Sequence, residues 1–474
     1  MKKVSLKQIK NLTPAEKASF ALLIANLVLK GLSLISGPVF TRIMSTEQYG
    51  IVSTFQSWLS LLTVVVTLNL SQGVFNNGML DFKKDRDKFQ FSLLFISSVI
   101  TLAYAVAFFA LKKYVLSFTG LTESMVVIML LYFFFVPAYQ LWSGRQRYEY
   151  KYKALSIITI VSAIVSLILG VIFVLNASTD NQAIARIRAM EGVNIIIGFF
   201  FYITLAKKAR FKIDWNYCKY ALRFNVPLIP HYLSMYVLAS SDRIMITQMV
   251  SASATAIYSV AYTVASVINI VWSSIEASLS PWIYENLDKG NSKEVKRVTI
   301  RVVAIFGILC MVATLFAPEI MRILAPKQYS EGVYAIPAIA VGVFFTAVYS
   351  LYMRIELFYK QTGFATVAST IAAISNIILN YIFIKLRGYI AAGYTTMVCY
   401  ALLAFFHYLN TRKKGYSYII DNRKMFILSL TIILVSFSII YLYKYPVIRL
   451  TGIGIVLIIL FIKRNNIIRI FKLH

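Results

Sequence analysis

Residues 154–179 read ALSIITIVSAIVSLILGVIFVLNAST and contain no Asp, Glu, Lys or Arg. About 20 mostly apolar residues, rising 1.5 Å each, carry a helix across the hydrocarbon core of a bilayer. This stretch is long enough to span, and it is not alone. Residues 48–80, 89–111, 124–144, 244–275, 332–353, 361–384 and 388–411 are equally free of those four residue types. Shorter or interrupted apolar runs lie at 18–41, 184–206, 220–243, 300–318, 425–443 and 447–462. The pattern predicts an all-α polytopic membrane protein of about fourteen transmembrane helices. The polar lead before 18–41 is followed by a long apolar segment containing Lys30 with no small-residue cleavage site, so the segment reads as the first span and not as a cleaved signal.

Composition agrees with that reading. The 474 residues are 59% hydrophobic and 14% charged, with a mean hydropathy of +0.71; soluble domains carry about 25% charged residues. Lys and Arg number 48 against 19 acids, a net charge of +29. The basic residues come in small groups between apolar runs, which excludes the basic face of a nucleic-acid binder and matches the cytoplasmic loops of a membrane protein. With the N-terminus inside, cytoplasmic segments hold 35 of the 48. Among them are Lys83, Lys84, Arg86 and Lys88, then Lys207, Lys208, Arg210 and Lys212, and later Arg412, Lys413 and Lys414. Both termini are therefore expected in the cytoplasm, and Cys218, after the sixth span, is expected to react with thiol reagents from that side.

Catalytic chemistry finds little support. Cys218, Cys310 and Cys399 are scattered, and His231, His407 and His474 have no metal-ligand spacing. P-loop, dinucleotide and Ser-His-Asp patterns are missing from the sequence, so neither cofactor nor metal is expected. An internal repeat is visible instead. Arg42-Ile43-Met44, followed by Tyr49-Gly50-Ile51-Val52-Ser53, is echoed by Arg243-Ile244-Met245, followed by Ile257-Tyr258-Ser259-Val260. Six spans separate the copies, as expected for two six-helix bundles in parallel repeat, residues 1–209 and 210–412, with 413–474 an appended helix pair.

Polar residues inside spans are costly, roughly 2.5–3.5 kcal/mol for a Lys at a helix centre, so their positions nominate a site. Lys30 shares a helical stripe with Asn26, Ser33 and Gly37, ahead of Pro38, a kink or hinge candidate. Either the stripe faces a water-filled cavity, or Lys30 snorkels or pairs with a distant acid. Span seven carries hinge candidates Pro227 and Pro230, with His231, Asp242 and Arg243. Asp242 and Arg243 fall at its far end, where an interfacial ion pair and a functional role are both open. Asn269 in span eight joins the cavity candidates, as do Arg42 and, in span six, Arg186 and Arg188. Arg188 and Glu191 are spaced to pair on one helix face. Several fixed cations with few unpaired acids favour an anionic passenger, such as a phosphate or uronic acid.

Taken in order, FTRIMSTEQYGIVSTFQSW (40–58), FNVPLIPHYLSMYVLASSDRIMI (224–246), AIYSVAYTVASV (256–267), SLSPWIYENL (278–287), APEIMRILAPKQY (317–329) and NIILNYIFI (376–384) resemble the polysaccharide-repeat-unit flippases. These belong to the multidrug/oligosaccharidyl-lipid/polysaccharide exporter superfamily. The resemblance covers about residues 15–412. It implies two six-helix bundles around a central cavity that opens alternately to each side. It further implies a bacterial cytoplasmic-membrane location, membrane lipids as partners and a possible link to polysaccharide polymerase machinery. The implied substrate is an undecaprenyl-pyrophosphate-linked oligosaccharide, moved to the outer leaflet for surface polysaccharide assembly. Related peptidoglycan-precursor flippases, which also carry an extra helix pair thought to cradle the lipid tail, are the alternative, and a drug/cation antiporter is a further one. The family defines no strict catalytic motif, so the site residues above rest on cost and charge.

Overall fold

The computed structural model describes residues 14–361, 363–452 and 454. The side chain of Asn26 and most of the expected last span, 447–462, lie outside the described residues. Among those residues the chain is helical, without strands. It divides into two compact units, one ending at Leu233 and the other starting at Ser234. Among the described residues, eleven helices are long and apolar enough to cross a membrane. Two more, of 30 and 21 residues, have the length. The chain is a multi-pass membrane protein.

The N-terminal unit contains α1 (Pro14–Ile43), α2 (Thr46–Val66), α3 (Val74–Asp81), α4 (Arg86–Ala110), α5 (Lys112–Thr119), α6 (Glu123–Tyr148), α7 (Tyr152–Leu175), α8 (Gln182–Lys208) and α9 (Trp215–Asn225). Close approach between α6 and α8 depends on Gly198, where a Cβ would sit 2.6 Å from the Phe135 carbonyl oxygen. Small residues drive such packing in lipid, where burial of apolar surface gives no advantage. The turn between α1 and α2 is tied to the start of α8. The Ser45 amide donates to Gln182 Oε1 at 2.9 Å, and the Ala183 amide donates to Gln48 Oε1 at 2.9 Å.

The run 48–80 does not form one helix. It breaks after Val66, passes through Leu68 and Asn69 in left-handed geometry (φ 50° each), and resumes as the short α3. A break at membrane depth survives only if the freed backbone groups find partners. Asn225, fully buried, supplies them. Its Nδ2 donates to the carbonyls of Leu68 (2.8 Å) and Asn69 (3.0 Å), and its Oδ1 accepts from the Val74 amide at 3.2 Å. Absence of charge marked the run as apolar but carried no information about this turn.

Residues 215–225 form a separate amphipathic helix, α9, joined to α4 by Lys88 Nζ donating to Asp214 Oδ2 at 2.9 Å. That contact holds the Asp214 carboxyl below its usual range. Cys218 is buried on the inner face of α9 with its Sγ toward the Ser92 carbonyl. It is therefore shielded from thiol reagents, contrary to the expectation of a reactive loop cysteine.

The C-terminal unit contains most of α10 (Ile229–Met249), followed by α11 (Ala252–Asp288), α12 (Ser292–Leu315), α13 (Ala317–Leu324), α14 (Ile336–Phe358), α15 (Gly363–Arg387), α16 (Ala391–Lys413) and α17 (Asn422–Leu442). Helix α14 is buried along most of its length and forms the core on which α11, α12, α16 and α17 pack. The expected border between spans seven and eight at 243–244 is not a border. Helix α10 continues to Met249, so Asp242 and Arg243 sit inside it and not at its end.

Trp215 is 66% exposed on α9 and offers a usable probe of orientation. With the termini in the cytoplasm, a Trp215→Cys variant in intact cells should be labelled by a membrane-permeant maleimide and protected from an impermeant one. Labelling by the impermeant reagent would reverse the assigned topology.

Candidate functional site

The nominated residues fall into several separate environments. Lys30 is half-buried on α1, and no hydrogen bond or ion pair joins it to another described residue. Ser33 on its stripe is exposed, and a Cβ at Gly37 would meet nothing within 4 Å. Farther along, the Pro38 carbonyl accepts from Thr41 Oγ1 at 3.1 Å and Arg42 Nη1 at 2.8 Å.

Arg186 on α8 is buried between α1 and α7. Its Nη2 donates to Ser36 Oγ (3.2 Å), its Nη1 to the Ser166 carbonyl (3.3 Å), and its guanidinium lies 3.7 Å from the Phe40 ring centroid. Cation–π contacts of this kind gain strength when desolvated. Gly170 makes the room, since a Cβ there would stand 2.2 Å from Arg186 Nη1. Arg188 is exposed, and its expected partner Glu191 is engaged elsewhere. Glu191 is buried and accepts from Gln56 Nε2 (2.7 Å) and Asn194 Nδ2 (2.9 Å). Pro227 lies in a short 3-10 turn leading into α10, and Pro230 and half-buried His231 lie in its first turn.

The C-terminal unit gathers more polarity than its sequence advertises. Asp242 is fully buried, its Oδ2 accepting from Tyr258 Oη at 2.6 Å and its Oδ1 from the Arg243 amide at 2.8 Å. Arg243 donates to the Ala239 carbonyl at 2.8 Å and stands 4.2 Å from the Tyr262 ring centroid. Tyr262 is also on the wall of a cavity of about 120 Å³, with Asn269, Tyr349, Tyr400, Thr346 and Thr396. Beyond it, Tyr349 stacks on Tyr400 and on His407. His407 Nδ1 meets Glu356 Oε2 at 2.8 Å, and Asn410 Nδ2 donates to Glu356 Oε1 at 2.8 Å. An uncharged cluster that shares Thr396 with the cavity wall links α10, α15 and α16. Ser241 donates to Asn376, which donates to Thr396, while Asn380 joins Asn376 and Thr395.

Sequence reasoning missed Tyr258, Tyr262, Tyr349, Tyr400, Glu356 and the role of His407. Tyrosines counted as apolar, and histidine does not interrupt a charge-free run. A histidine inside the 388–411 run was the available signal.

The sequence model of the polysaccharide biosynthesis protein family matches residues 16–287, and that of the MatE family matches 227–382. The chain belongs to the polysaccharide biosynthesis protein family. This family member is 23% identical over 276 residues to a protein of the Lsg locus of Haemophilus influenzae, covering 57% of this chain and 66% of that relative. Its fold is similar to the lipid II flippase MurJ in an inward closed conformation, with a TM-score of 0.70 at 17% identity, over 94% of this chain and 99% of that one. It is also similar to an inward-facing multidrug resistance MATE transporter of the MOP superfamily (TM-score 0.66, 12% identity, 85% and 98% covered). A MOP-superfamily transporter from Pyrococcus furiosus gives 0.58 at 13% identity, with 88% and 99% covered. At these identities the structural likeness is one of fold. The structural neighbours are transporters and flippases, and this chain shares their fold.

Two substitutions test the buried sites. Gly170→Ala drives a methyl into the Arg186 box and should destabilise the protein by about 1–3 kcal/mol. Tyr258→Phe removes a hydrogen bond to a buried carboxylate and should cost about 1.5–3 kcal/mol. Thermal unfolding in detergent reads both, and an unchanged midpoint in either variant contradicts the corresponding contact.

Proposed function

We propose that the protein translocates undecaprenyl-pyrophosphate-linked oligosaccharide repeat units from the inner to the outer leaflet of a bacterial cytoplasmic membrane. The mechanism would expose one substrate site alternately to the two sides, with N- and C-termini in the cytoplasm. The product would feed surface polysaccharide assembly (O-antigen, capsule or exopolysaccharide) and its polymerase machinery.

The observation that carries this reading is the balance of fixed charge inside the helices. The acids have local donors: Asp242 from Arg243 and Tyr258, Glu276 from Arg354 at 2.8 Å, Glu356 from His407 and Asn410, and Glu191 from two amides with the Arg186 guanidinium in electrostatic reach. Lys30 has no acidic partner among the described residues. The surplus is cationic, which suits a pyrophosphate or acidic sugars, whereas a drug-cation exporter needs uncompensated carboxylates. An apolar groove of about 500 Å³ between α14, α16 and α17 supports a lipid-linked passenger. Phe345, Val348, Phe405, Met425 and Phe426 line it, with Arg423 at one end, in keeping with a prenyl chain lying against α17.

A peptidoglycan-precursor flippase is the second reading, favoured by the fold match to the lipid II flippase over 94% of the chain. Both readings share a polyprenyl-pyrophosphate glycan as the chemistry recognised.

In this account Lys30 meets the pyrophosphate as a mobile point charge, and Arg42, Arg243, Arg186, Arg188, Asp242, His231 and Asn269 remain further candidates, with Pro38, Pro227 and Pro230 as hinges. Lys30→Ala should fail to restore surface polysaccharide to a flippase-deficient strain while membrane abundance holds, and Lys30→Arg should restore part of it. Completed repeat units should then accumulate on their carrier in the inner leaflet. Full complementation by the alanine variant would remove Lys30 from the mechanism. Restoration of drug resistance instead of polysaccharide would favour the antiporter.

A further inference from the structure

Helices α15 and α16 form an antiparallel hairpin joined by residues 388–390, with Gly388 in left-handed geometry (φ 78°). Along the hairpin runs a groove of about 530 Å³, within the roughly 300–1,000 Å³ common for ligand pockets. Leu379, Phe383 and Arg387 line one wall at four-residue spacing on α15. Ile390, Tyr394 and Val398 line the other at the same spacing, leading into α16. Residues four apart share one helix face, so each wall is a single stripe.

The walls are fixed by contacts behind them. Tyr394 stacks on Phe437 of α17 with ring centroids 5.5 Å apart, and its hydroxyl donates to the Tyr334 carbonyl at 3.3 Å. Thr395, also on the wall, is tied through its hydroxyl to Asn380 of α15. The groove is therefore a preformed feature of the hairpin.

Its depth and polarity match one leaflet of a bilayer. Eight residues at 1.5 Å each carry a stripe about 12 Å inward from the turn, close to half of the roughly 30 Å hydrocarbon core. Polarity is concentrated at the mouth. Arg387 is exposed there, with no hydrogen bond or ion pair to another described residue. Lys385 is two residues back and falls on another face of α15. The acid in this region, Glu331, accepts from the Tyr389 hydroxyl at 2.7 Å and makes no ion pair with Arg387. The amides of Tyr389 and Ile390 open α16 without a backbone acceptor among the described residues, which adds partial positive charge to the mouth.

We propose that this groove is a specific site for an anionic glycerophospholipid. One acyl chain lies between the two stripes, and Arg387 donates two N–H groups to the phosphodiester. The apolar walls alone would accept a chain from any bilayer lipid. The unpaired guanidinium adds the selection, because a zwitterionic headgroup brings its own cation to the phosphate and an anionic one does not. A chain in the groove packs against Tyr394 and so braces the contact between α16 and α17. The groove between α14, α16 and α17 uses residues 401–408 of α16, farther from this turn, so the two sites do not overlap. The lipid site therefore stands whatever the protein carries.

Two photoreactive probes test it, phosphatidylglycerol and phosphatidylcholine with a diazirine in the same acyl chain. Each is placed at trace level in phosphatidylcholine vesicles holding the purified full-length protein. Phosphatidylglycerol should label residues 379–398 about tenfold more strongly than phosphatidylcholine, the preference expected of a charge-assisted hydrogen bond. R387Q should bring the two probes level, and R387K should keep part of the preference. Val398→Trp, which fills the groove, should remove labelling by both. Equal labelling in the parent protein, a preference that survives in R387Q, or labelling that persists in V398W overturns the proposal. So does labelling of 379–398 that undecaprenyl pyrophosphate, equimolar with the probe, abolishes, because the groove would then hold a passenger's tail. The comparison of the two probes in the unaltered protein decides the case even where a variant fails to fold.

Discussion

Within hydrocarbon no water completes an unfinished hydrogen bond, so every polar group must be satisfied by the protein itself. That constraint organises both units. Asn225 holds the open backbone between α2 and α3, the two amides of Gln56 and Asn194 hold Glu191, and Tyr258 with Arg243 holds Asp242. The contacts of Asn225, Gln56 and Tyr258 join different elements, so they also set how helices pack. Gly170 and Gly198 follow the same logic from the other side, giving up side chains so that a guanidinium or a backbone can come close.

Compensation is uneven, and the unevenness has functional weight. Acids inside the helices have donors, while Lys30 on α1 has no acidic partner among the described residues.

Charge-free runs revealed most of the helices because a spanning segment excludes Asp, Glu, Lys and Arg by energy and needs about 20 residues by length. The same marker misled where energy was supplied locally. The run 48–80 hides a turn because Asn225, more than 150 positions away, satisfies it. The run starting at 244 suggested a helix boundary there because Asp242 and Arg243 are charged, yet they neutralise each other within α10. Cys218 looked like a loop residue because the amphipathic character of α9 was read as the start of a span. The site was less legible than the fold. Lys30 and Arg186 stood out by charge, whereas Tyr258, Tyr262 and Tyr400 act through hydroxyls and ring faces that a hydropathy count treats as apolar. The Glu356–His407 pair depends on residues 51 positions apart.

The central claim is that the passenger is a lipid-linked glycan and not a cationic drug. Its most direct test is translocation by the purified full-length protein in vesicles, with undecaprenyl-pyrophosphate-linked oligosaccharide in one leaflet and a glycan-trimming enzyme outside the other. The account predicts that the protein makes the glycan susceptible to the enzyme much faster than in protein-free vesicles. Glycan that stays protected in such vesicles, while the same preparation exports an organic cation, would contradict it.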